Sequence, residues 1–118
     1  MATHNDTGKY GEALARIYFI QKGYEILYLN WRYKNWEVDI VACKNNLLHF
    51  IEVKTGRSQK FGYPEEKSGP QKIRNLVNAA EQFLYQYPQW KRIQFDVLSI
   101  SLFKKEDPEY FLIEDVYE

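Results

Sequence analysis

Two strand-like runs separated by only three residues constrain this chain more than any other feature. The runs, Trp36–Cys43 and Leu47–Thr55, are dense in the aromatic and β-branched residues that favour strands. Asn45-Asn46 between them predicts a type I′ turn, because asparagine tolerates positive φ. A two-residue turn also fixes the register, so Lys44 pairs with Leu47 and each further pair follows by counting outward. The sequence therefore predicts an antiparallel hairpin of known register.

Counting outward along this hairpin places Asp39 opposite Glu52 and Glu37 opposite Lys54, all on one face of the sheet. Two carboxylates opposite each other repel by up to about 1 kcal/mol. A divalent cation held by Asp39 and Glu52 would offset that repulsion, and carboxylate, water and phosphate oxygens are the ligands that Mg²⁺ prefers. The neighbouring strand residues are apolar, so the charged cluster predicts a site. The alternative is a solvated polar stripe in which Glu37 and Lys54 form an ordinary ion pair.

Apolar residues recur with helical spacing in two other segments. Between Ile73 and Tyr87 they form a single stripe, which predicts a helix of roughly five turns with Pro70 in its first turn and Pro88 at its end. The segment Tyr10–Lys22 also predicts a helix, with Gly23 as its C-terminal stop. The apolar stripe of this helix is expected to face the core of the protein, and it consists of Tyr10, Ala13, Leu14, Ile17 and Ile20.

Three further runs rich in β-formers complete the prediction: Tyr24–Asn30, Ile93–Phe103 and a short fifth strand, Tyr110–Ile113. The predicted order is α-β-β-β-α-β(-β), an α/β fold with helices flanking a mixed sheet. Between the hairpin and the second helix, Gly56–Gly69 is expected to be a long loop, and loops of that length are usually functional or mobile.

The composition fits a single domain spanning residues 1–118, because 118 residues with 45% apolar side chains fill one core and not two. The one cysteine, Cys43, allows no internal disulfide and no cysteine-based zinc site, which favours a reducing cytoplasmic location. No apolar stretch approaches the ~18 residues that span a bilayer, and the N-terminal residues lack the pattern of a signal peptide. We expect a soluble protein without a membrane partner.

The formal net charge of zero conceals an uneven distribution. Residues 1–95 carry fourteen Lys and Arg against nine Asp and Glu, whereas residues 96–118 carry two against seven. A basic body with an acidic C-terminal end is compatible with phosphate binding by the body, although such runs are also typical of solvated faces. The zero total therefore does not exclude a nucleic-acid partner.

Asp39 followed thirteen residues later by Glu52-Val53-Lys54 resembles the PD-(D/E)xK nuclease motif. The likeness extends over roughly Gly8 to Ile100. In sequence and in order the chain resembles the YraN-like family of uncharacterised bacterial proteins, which is similar to archaeal Holliday-junction resolvases. The segments that carry the resemblance are Gly8–Glu12 with Ala15, Gly23–Leu27 with Asn30, Glu37–Ala42, Phe50–Lys54, Phe61-Gly62 with Pro64, and Lys72 ahead of Ala79-Ala80.

This resemblance implies a restriction-endonuclease-like fold and hydrolysis of phosphodiesters in branched or structured DNA. It also implies that Glu12, Asp39 and Glu52 are metal ligands for Mg²⁺, with Mn²⁺ as a substitute, and that Lys54 is the catalytic lysine. For Glu12 an ordinary surface ion pair with Arg16 is the alternative. A two-fold junction substrate would favour a homodimer.

Basic and aromatic residues near the predicted loop and second helix are candidates for nucleic-acid binding. Cations there would hold the phosphate backbone, and an aromatic ring would stack on exposed bases. Relative to the family pattern, the arginine of the loop stands one position further from Lys54. The candidates are Arg57, Lys60, Phe61, Lys72 and Arg74.

Two other functions stay open at this point. The first is a nucleic-acid-binding module of the same fold that does not cleave. The second is a protein-interaction adaptor whose acidic end, from Asp96 onward, docks a basic partner.

Overall fold

The computed structural model describes residues 4–56, 64–102 and 107–116, with side chains in 8–56, 73–102 and 107–116. Its elements follow the predicted order of two helices and five strands. They are α1 (His4–Gln21), β1 (Glu25–Tyr33), β2 (Trp36–Lys44), β3 (Leu47–Gly56), α2 (Pro64–Gln86), β4 (Ile93–Ser101) and β5 (Glu109–Ile113).

The five strands form one mixed sheet in the order β1-β2-β3-β4-β5. All neighbours pair antiparallel except β3 and β4, which are parallel and joined through α2. One core cluster packs α2 residues such as Phe83 against Val41 and Phe50, and a second packs α1 residues such as Phe19 against Ile51. The chain is thus an α/β fold with a helix on each face of the sheet, as predicted.

The hairpin turn is confirmed, because Asn45 and Asn46 both have positive φ, 55° and 65°. The predicted register is also confirmed from Lys44↔Leu47 as far as Ile40↔Ile51. Beyond that point it is wrong: in the described strands, the ladder between β2 and β3 ends before the pairs predicted for Asp39 with Glu52 and for Glu37 with Lys54.

The hairpin opens because each strand follows its other neighbour. The outer part of β2 continues to pair with β1, as in Glu37↔Arg32, while β3 continues along β4 through Lys54↔Ser99. In β1, Asn30 has a φ of 54°, and it lies opposite Asp39 in the register of the flanking pairs. A left-handed residue in a strand interrupts the regular alternation of faces. Val38 and Val41 accordingly lie in the same core cluster.

Both helices begin earlier in the chain than predicted. Helix α2 starts at Pro64 and not near Pro70, which shortens the expected loop. Proline at the first position followed by two acidic residues suits a helix N-terminus. Helix α1 ends as predicted, at a glycine with a φ of 93°. There Tyr24 N–H donates to the Phe19 carbonyl and Gly23 N–H to that of Ile20, which is the Schellman arrangement.

The face of α1 that packs on the sheet is not the predicted stripe. Gly11, Ala15 and Phe19 are buried, whereas Tyr10, Ile17 and Ile20 are exposed. Small residues let a helix approach a sheet closely, and a Cβ on Gly11 would overlap Thr55 Oγ1 of β3.

The acidic C-terminal segment is part of the sheet as far as the structure describes it. Strand β5 pairs with β4, and Val116 N–H donates to the Phe95 carbonyl at 2.8 Å. Asp96, the first residue of the acidic C-terminal segment, is fully buried. Among the described residues, neither helix is both long and apolar enough to cross a membrane.

Candidate functional site

Asp39 lies where β2 and β3 separate, and its carboxylate replaces the missing ladder contact. The Oδ2 atom accepts a hydrogen bond from the backbone N–H of Val53 at 2.7 Å. Val53 stands between Glu52 and Lys54 in the chain, so the Asp39 carboxylate sits against the backbone that carries both predicted partners. The Asp39 carboxylate is therefore held against the backbone between Glu52 and Lys54, by a side-chain bond and not by strand pairing, whereas the side chains of Glu52 and Lys54 are not among those that line the pocket of Asp39.

Glu52 and Lys54 form an ion pair at this opening. The distance from Lys54 Nζ to Glu52 Oε2 is 3.6 Å, and both side chains are largely withdrawn from solvent. A buried carboxylate needs such a partner, because desolvating an unpaired charge is costly. The pair keeps a lysine ammonium and a carboxylate side by side. Its two residues directly precede and follow Val53, whose backbone N–H bonds Asp39.

Glu12 reaches the same region from α1. It lines a pocket of about 190 Å³ together with Asp39, Asn30, Lys9 and Arg16, and with Ala13, Leu29 and Ile40. Asn30 Nδ2 donates to Glu12 Oε1 at 3.4 Å. Asn30 lies opposite Asp39 in the irregular part of the sheet. Its bond to Glu12 therefore connects α1 to the end of β2 that has separated from β3.

The close approach of α1 to β3 fixes where this pocket lies. Gly11 directly precedes Glu12, and it faces Thr55, the residue after Lys54, with no room for a side chain between them. The helix is thereby held over the open end of the hairpin, with Glu12 beside it.

Glu37 does not join the site. Its Oε2 pairs with Arg32 Nη2 of β1 at 3.1 Å, in a cross-strand contact at the surface. The ion pair predicted between Glu37 and Lys54 is replaced by two others, Glu37 with Arg32 and Lys54 with Glu52.

The predicted nucleic-acid contacts are only partly covered by the structure. Arg57, Lys60 and Phe61 lie outside the described residues. Lys72 is in α2, and Arg74 is an exposed residue of the same helix. Their proposed role stays a prediction.

Donor atoms for a metal ion are present but do not form a closed cage. Within residues 8–56, 73–102 and 107–116, no three His, Cys, Asp or Glu side chains converge closely enough to hold an ion. Glu12 and Asp39 nevertheless line one pocket. Mg²⁺ is commonly bound by one or two carboxylates while water and phosphate oxygens fill its other positions, so the chemistry of this donor set fits it.

A second polar cluster, which the sequence did not predict, lies on the α1 side of the sheet. His49 Nδ1 and Asp96 Oδ2 are 2.7 Å apart, and both residues are buried. Asp96 Oδ1 accepts from Gln94 Nε2 at 2.9 Å and from the Asp115 backbone N–H at 3.0 Å. The pair forms because β4 lies parallel beside β3, a pairing between distant segments that leaves no local signal in the sequence.

The same cluster perturbs a tyrosine. The Tyr24 ring packs edge-on against His49 with centroids 4.9 Å apart. Burial, and after it the negative charges of Asp96 and Glu114, raise the pKa of Tyr24 to about 12. The cluster joins β3, β4 and the segment after β5, and it lies apart from the pocket of Glu12 and Asp39.

Comparison with known sequences identifies relatives over most of the chain. The sequence model of uncharacterised protein family UPF0102 matches residues 11–100. A UPF0102 protein of Flavobacterium psychrophilum is 41% identical over 106 residues, covering 90% of this chain and 89% of its own. One from Phocaeicola vulgatus is 39% identical over 118 residues (100% and 94%), and one from Syntrophomonas wolfei 44% over 98 residues (82% and 85%).

Proposed function

The chain belongs to the uncharacterised protein family UPF0102, and from the open end of its hairpin we propose that it is a Mg²⁺-dependent nuclease of restriction-endonuclease-like fold. Its substrate would be branched or otherwise structured DNA. One observation carries the proposal: the Asp39 carboxylate is bonded to Val53 N–H, between Glu52 and Lys54. That contact supports the proposal because it holds the first residue of the nuclease-like motif against the backbone between the other two, where two strands part.

In this proposal the carboxylates of Asp39 and Glu12 hold the metal, with Glu52 adjacent. Mg²⁺ bound there would supply Lewis-acid polarisation of a phosphoryl oxygen. The Val53 N–H fixes the orientation of the Asp39 carboxylate. The Glu52 carboxylate holds the Lys54 ammonium, which offsets negative charge on the scissile phosphate.

The cations around the pocket suit a phosphate-bearing substrate. Lys9 and Arg16 line it beside the carboxylates. Such contacts bind the nucleic-acid backbone without reading sequence, and their contribution falls as salt rises. A pocket of about 190 Å³ is smaller than the ~300–1,000 Å³ typical of sites that enclose a whole small molecule. It suits a single phosphodiester unit of a longer strand.

The proposal is tested by calorimetric titration of Mn²⁺ and Mg²⁺ into wild type and Asp39→Asn, beside cleavage assays on four-way junction, flap and linear duplex DNA. We expect the substitution to weaken metal binding by about tenfold or more, as expected for the loss of one charged ligand, and to abolish cleavage. Glu37→Gln is the matched control, because this carboxylate lies on the same strand but pairs with Arg32. It should leave both measurements unchanged.

Lys54→Met separates chemistry from metal binding. We expect it to abolish cleavage while the titration of Mn²⁺ is retained, because the lysine contributes charge stabilisation and no ligand. A wild-type protein that binds neither ion and cleaves none of the three substrates would overturn the proposal.

A second candidate is a module of the same fold that binds nucleic acid without cleaving it. It is favoured by the absence, among the described side chains, of three clustered metal donors, and by the engagement of Glu52 with Lys54. Salt-dependent DNA binding that persists in Asp39→Asn, with no hydrolysis under either ion, would select it.

A further inference from the structure

Helix α1 presents an apolar stripe to solvent on the side opposite its packed face. Gly11, Ala15 and Phe19 face the sheet, whereas Tyr10, Ile17 and Ile20 are 53%, 48% and 54% exposed. The spacing of Tyr10, Ala13, Ile17 and Ile20 is the i, i+3, i+7, i+10 pattern that normally faces a core. A helix with its most regular apolar stripe directed outward leaves a face to be covered.

Strand β5 extends this stripe. Tyr110, which is 38% exposed, stacks on Tyr18 of α1 with ring centroids 4.9 Å apart. Burial, and after it the charges of Tyr10 and Tyr18, raise the pKa of Tyr110. We call the exposed surface formed by Tyr10, Ala13, Ile17, Ile20 and Tyr110 the α1 patch.

The α1 patch is as large as the largest apolar patch on a typical monomeric protein, and such patches are often functional. A fully exposed side chain of this size contributes about 200 Å², so the patch leaves on the order of 400 Å² of largely apolar area in water. The largest apolar patch on a typical monomer covers ~300–600 Å². A standard interface buries ~800 Å² on each partner, so the charged residues that flank the patch would have to supply about half of the area.

The two flanks of the α1 patch carry opposite charge. On the side toward β2, Lys9 and Arg16 line the pocket of Asp39. On the side toward β5, Glu114 is close enough to Tyr18 to raise the pKa of that tyrosine, after burial. A two-fold axis running along α1 places the basic flank of one copy against the acidic flank of the other. The patch is therefore complementary to itself in both apolar character and charge.

We propose that the α1 patch is the interface of a homodimer, with a second copy of this chain as its occupant. The inference rests on exposure and charge and does not require nuclease activity, although Lys9 and Arg16 of its basic flank also line the proposed metal pocket. A self-complementary surface needs charges of both signs, and a chain with equal numbers of acidic and basic residues can supply them.

The test is sedimentation-equilibrium measurement of the full chain over a range of concentrations. Wild type should be dimeric, and Ile17→Asp should raise the dimer dissociation constant about tenfold or more, because it buries a charge at the centre of the apolar patch. Ile20→Lys provides a second, independent disruption at a residue that is equally exposed. Circular dichroism should show a folded chain in both variants. Tyr85→Asp is the matched control, an 84% exposed aromatic residue on α2, and it should leave the dimer intact.

Charge complementarity has its own measurement. Arg16→Glu and Glu114→Arg should each weaken the dimer, and the double exchange should restore it to within a few-fold of wild type, since only a pairing across the two-fold axis couples the two sites. A wild-type chain that is monomeric at every concentration would overturn the proposal. A dimer that survives Ile17→Asp and Ile20→Lys would overturn it equally.

Discussion

The two faces of the sheet are built from different materials. On the α2 face, Phe83 contacts the rings of Tyr28, Trp31, Phe50 and Tyr87, and the packing is almost entirely apolar. On the α1 face, the helix approaches through small residues and shares the surface with polar groups: the buried His49–Asp96 pair, and the pocket of Glu12 and Asp39.

This difference separates stability from chemistry. Aromatic packing on the α2 face leaves little that could bind a charged ligand. On the α1 face, the small side chains let the helix lie close to the sheet and leave a pocket beside it. Polar residues line that pocket: Lys9, Glu12, Asn30 and Asp39. Substitutions on the α2 face should therefore unfold the chain, whereas several on the α1 face should alter function at smaller cost.

The largest effect should come from Phe83→Ala. Removing this ring leaves a cavity among four other aromatic rings, and Phe→Ala substitutions in cores cost about 3–5 kcal/mol. Urea denaturation measures the loss of unfolding free energy. Tyr85→Ala, two residues away on the exposed side of α2, should change it by less than about 0.5 kcal/mol. A similar loss at both positions would show that α2 does not pack as described.

Asp96→Ala should have the next largest effect, on the α1 face. It removes the acceptor for His49, Gln94 and the Asp115 backbone N–H. Leaving buried donors unsatisfied costs about 1–3 kcal/mol for each group, and relaxation makes the total less than additive, so we expect a loss of about 2–4 kcal/mol. Asp107→Ala, at an exposed acid of the same segment, should be nearly neutral. Hydrogen exchange should report faster opening of the residues after β5 in Asp96→Ala only.

Gly11→Ala should cost about 1–3 kcal/mol through overpacking. The added methyl group would overlap Thr55 Oγ1, and α1 has to move away from β3. Because Glu12 follows Gly11, the same shift should weaken any metal binding by the pocket. Thr55→Ala in the same chain should recover part of the stability, and double-mutant analysis measures the coupling. Additive effects of the two substitutions would contradict the close contact.

The smallest effect is a dependence of stability on alkaline pH. The folded chain holds the pKa of Tyr24 at about 12, above the ordinary value of 10.0. The unfolded chain therefore releases this proton first, so stability is fully present below pH 10 and falls as the pH rises toward 12. Tyr24→Phe should reduce that slope in denaturation series at fixed pH, whereas Tyr85→Phe should retain it.

The sequence was most informative where a short turn set the geometry. The Asn45-Asn46 pair determined both the turn and the pairing out to Ile40 with Ile51, because two central residues leave no freedom in the count. Beyond the pair of Ile40 and Ile51, the strands follow the positive φ of Asn30 and the hydrogen bond from Val53 N–H to Asp39. Neither leaves a periodic signal, so the predicted Asp39–Glu52 pairing failed, and Asp39 contacts the backbone of Val53 instead.

The orientation of α1 was unpredictable for a different reason. Periodicity identifies an apolar stripe, and the sequence therefore favoured Tyr10 and Ile17 for the core. Gly11 and Ala15 are buried against the sheet instead, because their small side chains let the helix approach it closely. The His49–Asp96 pair depends on the parallel pairing of β3 and β4, which no local pattern encodes. The start of α2 was readable, since Pro64 is followed by two acidic residues.

The parallel contact between β3 and β4 has a consequence for synthesis of the chain. While the first 56 residues emerge from a ribosome, β1, β2 and β3 can already form a meander, but β3 has an open edge along its length. That edge is covered only after α2 and β4 have been made, nearly fifty residues later. Until then β3 is paired on its β2 side only, and its other edge stays open beside the apolar residues Leu48, Phe50 and Ile51, the kind of edge that recruits foreign strands. Protecting β3 during this interval is a task for the translation machinery and its chaperones.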